Sequence, residues 1–203
     1  MSLVKRIGYF SSYGLFLIGV VYVMVVAAGI FQAGSEDPIT DPILAVMEIL
    51  TLLSAPFIIA VMASVYETAN PERKVFGLLA LTFAGVMAGL TCAVHFIALT
   101  AGRQTGFTVL EWPSTLYAVE LLAWDVFLGL SLLSAAFVFI GSGIRSAARW
   151  ALIAAGTLSL LGAIGPIVGD MALQRIGIIG YGLGLPIAAL MLSRVFRTTR
   201  NDE

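Results

Sequence analysis

Four ionisable side chains lie inside otherwise apolar stretches of this chain, and their types are suited to chemistry: Glu48, His95, Glu120 and Asp125. A charged side chain is costly in hydrocarbon, so one that is retained there marks a path or site for an ion, a proton or a substrate. Imidazole and carboxylate groups exchange protons and bind cations and polar solutes. We therefore expect a ligand-binding or proton-handling site, with any catalytic role unknown.

Aromatic residues are predicted to line the same site. Tyr117 and Trp124 share one stripe of a helix with Glu120, and Tyr181 lies in the last apolar stretch. Asp125 lies about 140° around the helix from Glu120. The two carboxyl groups therefore need not share one pocket.

His95 is predicted to form a hydrogen bond with a carboxylate of another span. Asp125 is the expected partner, because it is the deeper carboxyl group of the fourth span and an imidazole can donate to a carboxylate in either protonation state. Thr91 and Cys92 lie one turn from His95 and extend its polar face. Two interpretations stay open: a hydrogen bond that fixes helix packing, or a site that handles a ligand, an ion or a proton.

Six apolar stretches position these residues, and each has the roughly 17 to 25 residues that a helix needs to cross about 30 Å of hydrocarbon. They cover residues 8–31, 43–66, 75–101, 116–140, 150–168 and 176–193. Of the 203 residues, 60% are apolar and only 11% are charged, and the mean hydropathy is +1.01. The sequence predicts an all-α polytopic integral membrane protein, with residues 1–203 forming a single bundle of six transmembrane helices.

Basic residues predict the orientation of the bundle. When six spans are threaded through a bilayer, nine of the 11 Lys and Arg residues fall on one side: Lys5, Arg6, Arg73, Lys74, Arg145, Arg149, Arg194, Arg197 and Arg200. The positive-inside rule then predicts that both termini are cytoplasmic and that the protein is integral to the plasma (inner) membrane. The net charge of −1 leaves no basic surplus, so nucleic acid is not an expected partner.

The candidate residues are predicted to lie in the outer half of the membrane. At 1.5 Å per residue, Glu48 and Glu120 are about 9 Å, His95 about 10 Å and Asp125 about 16 Å from the outer ends of their spans. The inner half has no ionisable residue well within a span. This pattern predicts an outward-facing polar pocket, closed below by apolar side chains. The segment 102–114 is predicted to be either an anchoring connection at the outer interface or a lid.

Glycine and proline predict where the spans pack closely or bend. Gly85 and Gly89 belong to a small-residue surface on the third span, of the kind that permits close helix contact. In the sixth span, four glycines and Pro186 lie between residues 177 and 186. Because proline removes a backbone donor and clashes with the preceding turn, we expect a kink or partial unwinding there.

Several cofactor sites lack the residues that they need. His95 is the only histidine, so a bis-histidine haem site cannot form. Lys5 and Lys74 lie at the boundaries of spans, which excludes a retinal Schiff base within a span. The lone Cys92 excludes dithiol redox chemistry, and neither spacing nor motif indicates a metal site. No metal is predicted, and the cofactor is unknown.

In outline, six spans, both termini on one side and 203 residues resemble the substrate-binding subunits of the energy-coupling-factor vitamin transporters. The resemblance rests on size and topology and transfers no residue. What it implies is a partner membrane subunit that docks through small residues.

The sequence therefore predicts an integral membrane protein that binds or transports a small solute, ion or proton through a polar pocket in the outer half. Two alternatives come from other classes: a membrane enzyme that acts on lipid or quinone with the same residues as acid and base, and a structural or regulatory membrane subunit. Enzyme activity is uncertain and is the less expected outcome. The expected partners are membrane lipid and a small-molecule or ion ligand, with a second copy of the chain or a partner membrane subunit left open.

Overall fold

The structure, a computed structural model, describes residues 1–33, 39–106 and 112–198. These residues form helices and turns and contain no strand. Within them, six helices are long and apolar enough to cross a membrane, which confirms the all-α fold of a six-helix membrane bundle. The acidic residues Glu36 and Asp37, and positions 107–111 in the middle of the predicted interfacial segment, lie outside the described residues.

The six spans, here named α1 to α6, run over Leu3–Ala33, Ile43–Thr68, Pro71–Thr105, Thr115–Ala136, Ile144–Val168 and Met171–Arg197. Five of them cover the predicted stretches and extend beyond them, because the helix continues through the polar residues at the membrane boundary. The exception is α4, which ends at Ala136 rather than at residue 140. The last turn of α4 tightens at that point. Arg73 Nη1 donates to the Phe137 carbonyl oxygen at 2.7 Å and so satisfies a backbone acceptor that has no partner within the helix.

The connections are short and carry ordinary turn chemistry. Pro71 opens α3, where its missing N–H is not needed. The side chains of Ser114 and Asp170 accept hydrogen bonds from Tyr117 N and Ala172 N at the starts of α4 and α6. Gly169 adopts φ 75° between α5 and α6, a conformation that favours glycine.

The spans form a closed ring. Each packs against its neighbours in the chain, and α6 returns to pack against α1. Both termini therefore lie at one end of the bundle, here called the termini end, and the connections that include residues 39–42, 112–114 and 169–170 lie at the opposite, distal end.

The core of the termini half is apolar. Its largest fully buried side chains come from four spans: Met62, Leu132, Leu152, Leu192 and Phe196. The buried side-chain hydroxyl groups there are neutral, and Ser131 Oγ, for example, donates to the Ala80 carbonyl oxygen at 2.8 Å. This half needs no charged group to pack.

Three segments of the spans widen from α-helix to π-helix: Ala98–Gly102 in α3, Leu122–Leu128 in α4 and Ile179–Gly184 in α6. The last coincides with the kink that the glycines and Pro186 predict. The other two carry no proline and no such cluster, so the sequence did not indicate them. All three lie in the distal half or at the middle of the bundle, and π-segments are frequent at functional sites.

Only part of the predicted packing surface of α3 is packed. Its alanines, Ala84 and Ala88, are buried. Gly85 and Gly89 beside them face away from the bundle, and a Cβ built on either meets no atom within 4 Å. Close packing occurs instead on α1, where a Cβ at Gly14 would lie 2.5 Å from the Phe57 ring, and at a crossing of α5 and α6.

Candidate functional site

A buried histidine and a buried glutamate meet between α3 and α4. His95 Nε2 lies 2.8 Å from Glu120 Oε1, and Thr91 Oγ1 lies 3.0 Å from both carboxylate oxygens of Glu120. Thr91 and His95 are one helical turn apart, so both side chains project toward the same point on α4. We call these three residues the His95 cluster.

The proton position on His95 follows from its contacts. A carboxylate accepts hydrogen bonds, so Nε2 carries the hydrogen in the contact with Glu120, and in a neutral ring Nδ1 is then the acceptor. Among the described residues, Nδ1 is buried and has no hydrogen-bond partner. The ring therefore has one nitrogen engaged and one left for a proton, a water molecule or a ligand.

The structure corrects the predicted partner of His95, which is Glu120 and not Asp125. The way α3 and α4 align explains the difference, since it brings Glu120, and not the deeper Asp125, against His95. The prediction gave weight to the deeper carboxyl group instead of to the matching register. The expectation that Glu120 and Asp125 face different neighbours holds, since they bind different partners.

Asp125 contacts α6 and not α3. Its Oδ2 lies 3.4 Å from Gln174 Nε2, which also donates to the Tyr181 hydroxyl oxygen at 3.0 Å. Asp125 Oδ1 is buried, and among the described residues it has no hydrogen-bond partner. The Tyr181 ring also lies 5.4 Å from the Trp124 ring, centroid to centroid. We call Asp125, Gln174 and Tyr181 the Asp125 cluster.

Two glycines make room for the Asp125 carboxyl group. A Cβ on Gly162 of α5 would lie 2.5 Å from Gly177 Cα and 3.1 Å from Asp125 Oδ1, and a Cβ on Gly177 of α6 would collide with the same oxygen. The two helices thus cross with backbone against backbone, and the carboxyl group fills the remaining space. Glycine at these positions is required by the close approach.

An arginine closes the distal end above these clusters. Arg103 Nη1 donates to Glu48 Oε2 at 2.8 Å and to the Ala98 carbonyl oxygen at 2.9 Å, while Nε and Nη2 donate to the two carboxylate oxygens of Asp41 at 3.0 and 2.9 Å. The hydrogen bond from Arg103 holds the pKa of Asp41 below its ordinary value of 3.8. We call Arg103, Asp41 and Glu48 the Arg103 cluster.

Neither charge nor spacing in the sequence connects Arg103 with Glu48. Asp41 lies just before the start of α2 and Glu48 lies within its first two turns, so both carboxylates are near the distal end of that helix. A single guanidinium at that end can bind both. Glu48 is consequently part of an ion-paired group, which separates it from the two deeper clusters.

Two tyrosine side chains lie near the clusters. Tyr117 is close enough to Asp125 and Glu120 to be influenced by the charge of both. Tyr22 of α1, which no pattern in the sequence singled out, lies near Thr51, Glu120 and Tyr117. A tyrosine in the first apolar stretch gave no periodic signal, because α1 is apolar on most of its surface.

The four predicted ionisable residues are closed off from solvent in this structure. Glu48, His95, Glu120 and Asp125 are 3%, 5%, 7% and 0% exposed. The prediction of an open pocket at these residues is therefore wrong for this structure: they form a closed polar interior, because the surrounding helices and the Arg103 cluster cover them. Within the described ranges, no three His, Cys, Asp or Glu side chains converge as metal ligands would.

The fold and this interior define a polytopic helical membrane protein with buried acid, imidazole and hydroxyl groups in one half of the bundle. Comparison of the chain with known protein families, with curated proteins and with solved structures finds no match.

Proposed function

We propose that this protein binds a proton at His95 and Glu120 and couples that proton to the binding or transport of a small solute or ion in the distal half of the bundle. One observation carries the proposal: the 2.8 Å contact between His95 Nε2 and Glu120 Oε1, buried in a membrane-spanning bundle. Ionisable groups at such depth are costly, and a paired imidazole and carboxylate form a unit that can take up and release a proton.

The contacts suggest how the proton is taken up. With Nε2–H donating to Glu120, a proton from water adds to the unpartnered Nδ1 and forms an imidazolium. Glu120 then neutralises that charge, and the Thr91 hydroxyl keeps the carboxylate in place. Release reverses the step at Nδ1, so the pair changes its charge by one without moving a backbone atom.

The Arg103 cluster is the proposed distal gate. Arg103 lies eight residues after His95 on α3, which places it about 12 Å nearer the distal end. Its bonds to Asp41 and Glu48 join the end of α3 to the start of α2 above the polar interior. Separation of these bonds would admit water or a solute to the His95 and Asp125 clusters.

The sidedness of the protein is part of the proposal. Eight described Lys and Arg residues flank the spans at the termini end, and only Arg103 and Arg175 lie at the distal end, which supports a cytoplasmic termini end in a plasma membrane. In a Cys92→Ala background, a membrane-impermeant maleimide added to intact cells should label Gln104→Cys and spare Ser142→Cys. The reverse pattern would invert the orientation, and the gate would then face the cytoplasm.

A structural or regulatory role is the second candidate, and the crossing of α5 and α6 favours it. Gly162 and Gly177 bring the two backbones together, and Asp125 and Gln174 join α4 to α6 across them. Interhelical polar contacts of this kind also serve simply to hold spans together. The alternative of an enzyme acting on lipid or quinone stays a prediction.

Infrared difference spectroscopy of the protein in lipid, stepped between acid and alkaline pH, separates the two candidates. The proposal expects an imidazolium band that is absent in His95→Gln, together with a shift of a carboxylate band that is absent in Glu120→Gln. Glu67→Gln is the matched control, because Glu67 is an exposed glutamate at the termini end. An identical difference spectrum in the wild type and Glu120→Gln would exclude the proton site and leave the structural role.

A flux measurement tests the coupling. In proteoliposomes that contain a pH-sensitive dye, the internal pH should change when a transported ion or solute is added outside. Proteoliposomes with Glu120→Gln should not show this change. A Glu120→Gln variant that loses the response but keeps wild-type stability supports transport. If the wild-type protein shows no flux and Glu120→Gln lowers its stability, the structural role is supported.

A further inference from the structure

A basic and aromatic cavity lies at the termini end, far from the proposed proton site. It has a volume of about 570 Å³ and lies between the start of α1 and the end of α6. Of the described residues, five line it: Met1, Arg6, Tyr9, Phe10 and Arg197. None of these five is acidic, so they present two guanidinium groups and aromatic rings to the cavity.

The close approach of α1 and α6 forms the cavity. Gly8 packs against the buried ring of Phe196, where a Cβ would lie 2.9 Å from the ring atoms. Arg6 lies two residues before Gly8 on α1, and Arg197 directly follows Phe196 on α6. The two arginines therefore flank this contact from the two helices. The aromatic wall is ordered by ring contacts, since the Tyr9 ring lies 5.2 Å from Phe10 and stacks on Tyr13 at 6.2 Å.

The two arginines have unused donors. Arg6 and Arg197 are both exposed, and neither forms an ion pair with any described residue. Arg103 is the instructive contrast, because Asp41, Glu48 and a backbone carbonyl occupy its donors. A planar guanidinium with free donors fits a phosphate group, which it can bind through two parallel hydrogen bonds.

The position of the cavity selects one source of phosphate. Arg6 precedes the apolar part of α1 and Arg197 ends α6, so both lie at the level of lipid headgroups. Beside the cavity, α1 exposes Ile7, Phe10 and Leu17, an apolar surface against which acyl chains can lie. We propose that this cavity binds the phosphate of an anionic phospholipid, with Arg6 and Arg197 as the phosphate ligands.

Native mass spectrometry of the full-length protein tests this assignment. Protein in detergent is supplied with phosphatidylglycerol, with phosphatidylcholine or with inorganic phosphate alone, and the lipid retained per protein is measured. The expected result is retention of phosphatidylglycerol that falls about tenfold in Arg6→Gln/Arg197→Gln, since lost charge-assisted hydrogen bonds are worth that factor or more. Arg6→Lys/Arg197→Lys should retain an intermediate amount, because charge remains and the fork is lost.

Arg145→Gln is the matched control, because Arg145 is an exposed arginine at the same end and lies outside the cavity. It should change retention by less than about twofold, as expected for a distant surface charge. Equal losses in Arg145→Gln and in the double variant would overturn the site in favour of diffuse surface charge. Equal retention of phosphatidylcholine would overturn the choice of an anionic lipid, and equally strong binding of inorganic phosphate would overturn the choice of a lipid.

Discussion

The two halves of this bundle solve the packing problem differently. The termini half is built from large apolar side chains and neutral hydroxyl groups, such as Ser131, whose hydrogen bond to Ala80 joins α4 to α3. The distal half places imidazole, carboxylate, amide and phenol groups between the same helices and contains or borders all three π-segments. Since apolar side chains suffice to pack one half, packing alone does not require the charged groups of the other.

The largest expected effect comes from removing one partner of the His95 cluster. His95→Ala should lower the free energy of unfolding by about 3–5 kcal/mol, because it leaves the buried Glu120 carboxylate without the imidazole that pairs with it. Ser131→Ala in the termini half should cost about 1 kcal/mol, the contribution of one neutral hydrogen bond. Denaturation in mixed micelles measures both values. Equal costs would remove the energetic distinction between the halves.

Double-mutant cycles sharpen the comparison within the distal half. His95→Ala and Glu120→Ala should couple by about 0.5–3 kcal/mol because the side chains touch, whereas His95→Ala and Asp125→Ala should add within about 0.3–0.5 kcal/mol. The same unfolding measurement provides every term. Coupling between His95 and Asp125 as large as that between His95 and Glu120 would mean that the two clusters act as one.

Sequence alone predicts the parts of this site better than their pairing. Six apolar stretches predict the spans, and rarity of charge within them selects Glu48, His95, Glu120 and Asp125, all of which are buried. Which carboxyl group reaches His95 depends on how α3 and α4 align along their lengths. Apolar periodicity does not encode that alignment, since nearly every face of these helices is apolar.

The π-segments of α3 and α4 and the crossing of α5 and α6 could not be predicted from the sequence for a related reason. Leu122–Leu128 contains no helix-breaking residue, so its widening reflects the surrounding packing. Gly162 and Gly177 are two among 21 glycines, and nothing in their spacing distinguishes them from the lipid-facing Gly85 and Gly89. Only the structure shows which glycines another backbone requires.

Alanine substitution at these glycines gives the next largest effect. Gly162→Ala should destabilise the protein by about 1–3 kcal/mol, because its Cβ would overlap the backbone of Gly177. Gly89→Ala should be neutral or stabilise by up to about 1 kcal/mol, because its Cβ meets no atom and alanine favours helix. Thermal unfolding in one detergent compares the two. A destabilising Gly89→Ala would indicate that another chain covers this face.

The smallest expected effect is a pH dependence at the distal gate. Arg103 lowers the pKa of Asp41 in the folded protein, so the ion pair contributes its stabilisation above the ordinary pKa of 3.8 and loses it as the pH falls through the folded value. Because the pair is exposed, the change in overall stability should be small, and local opening is the better signal. A cysteine at Thr105 in the Cys92→Ala background should react faster with a thiol-specific disulfide reagent once the pH falls through the folded pKa of Asp41, which lies below 3.8, after correction for the pH dependence of a model thiol. Asp41→Asn should react at the faster relative rate on both sides of that pKa, whereas Glu67→Gln, at the opposite end, should behave like the wild type. A pH response that survives in Asp41→Asn would assign the opening to another carboxyl group, with Glu48 the next to test because it binds the same guanidinium.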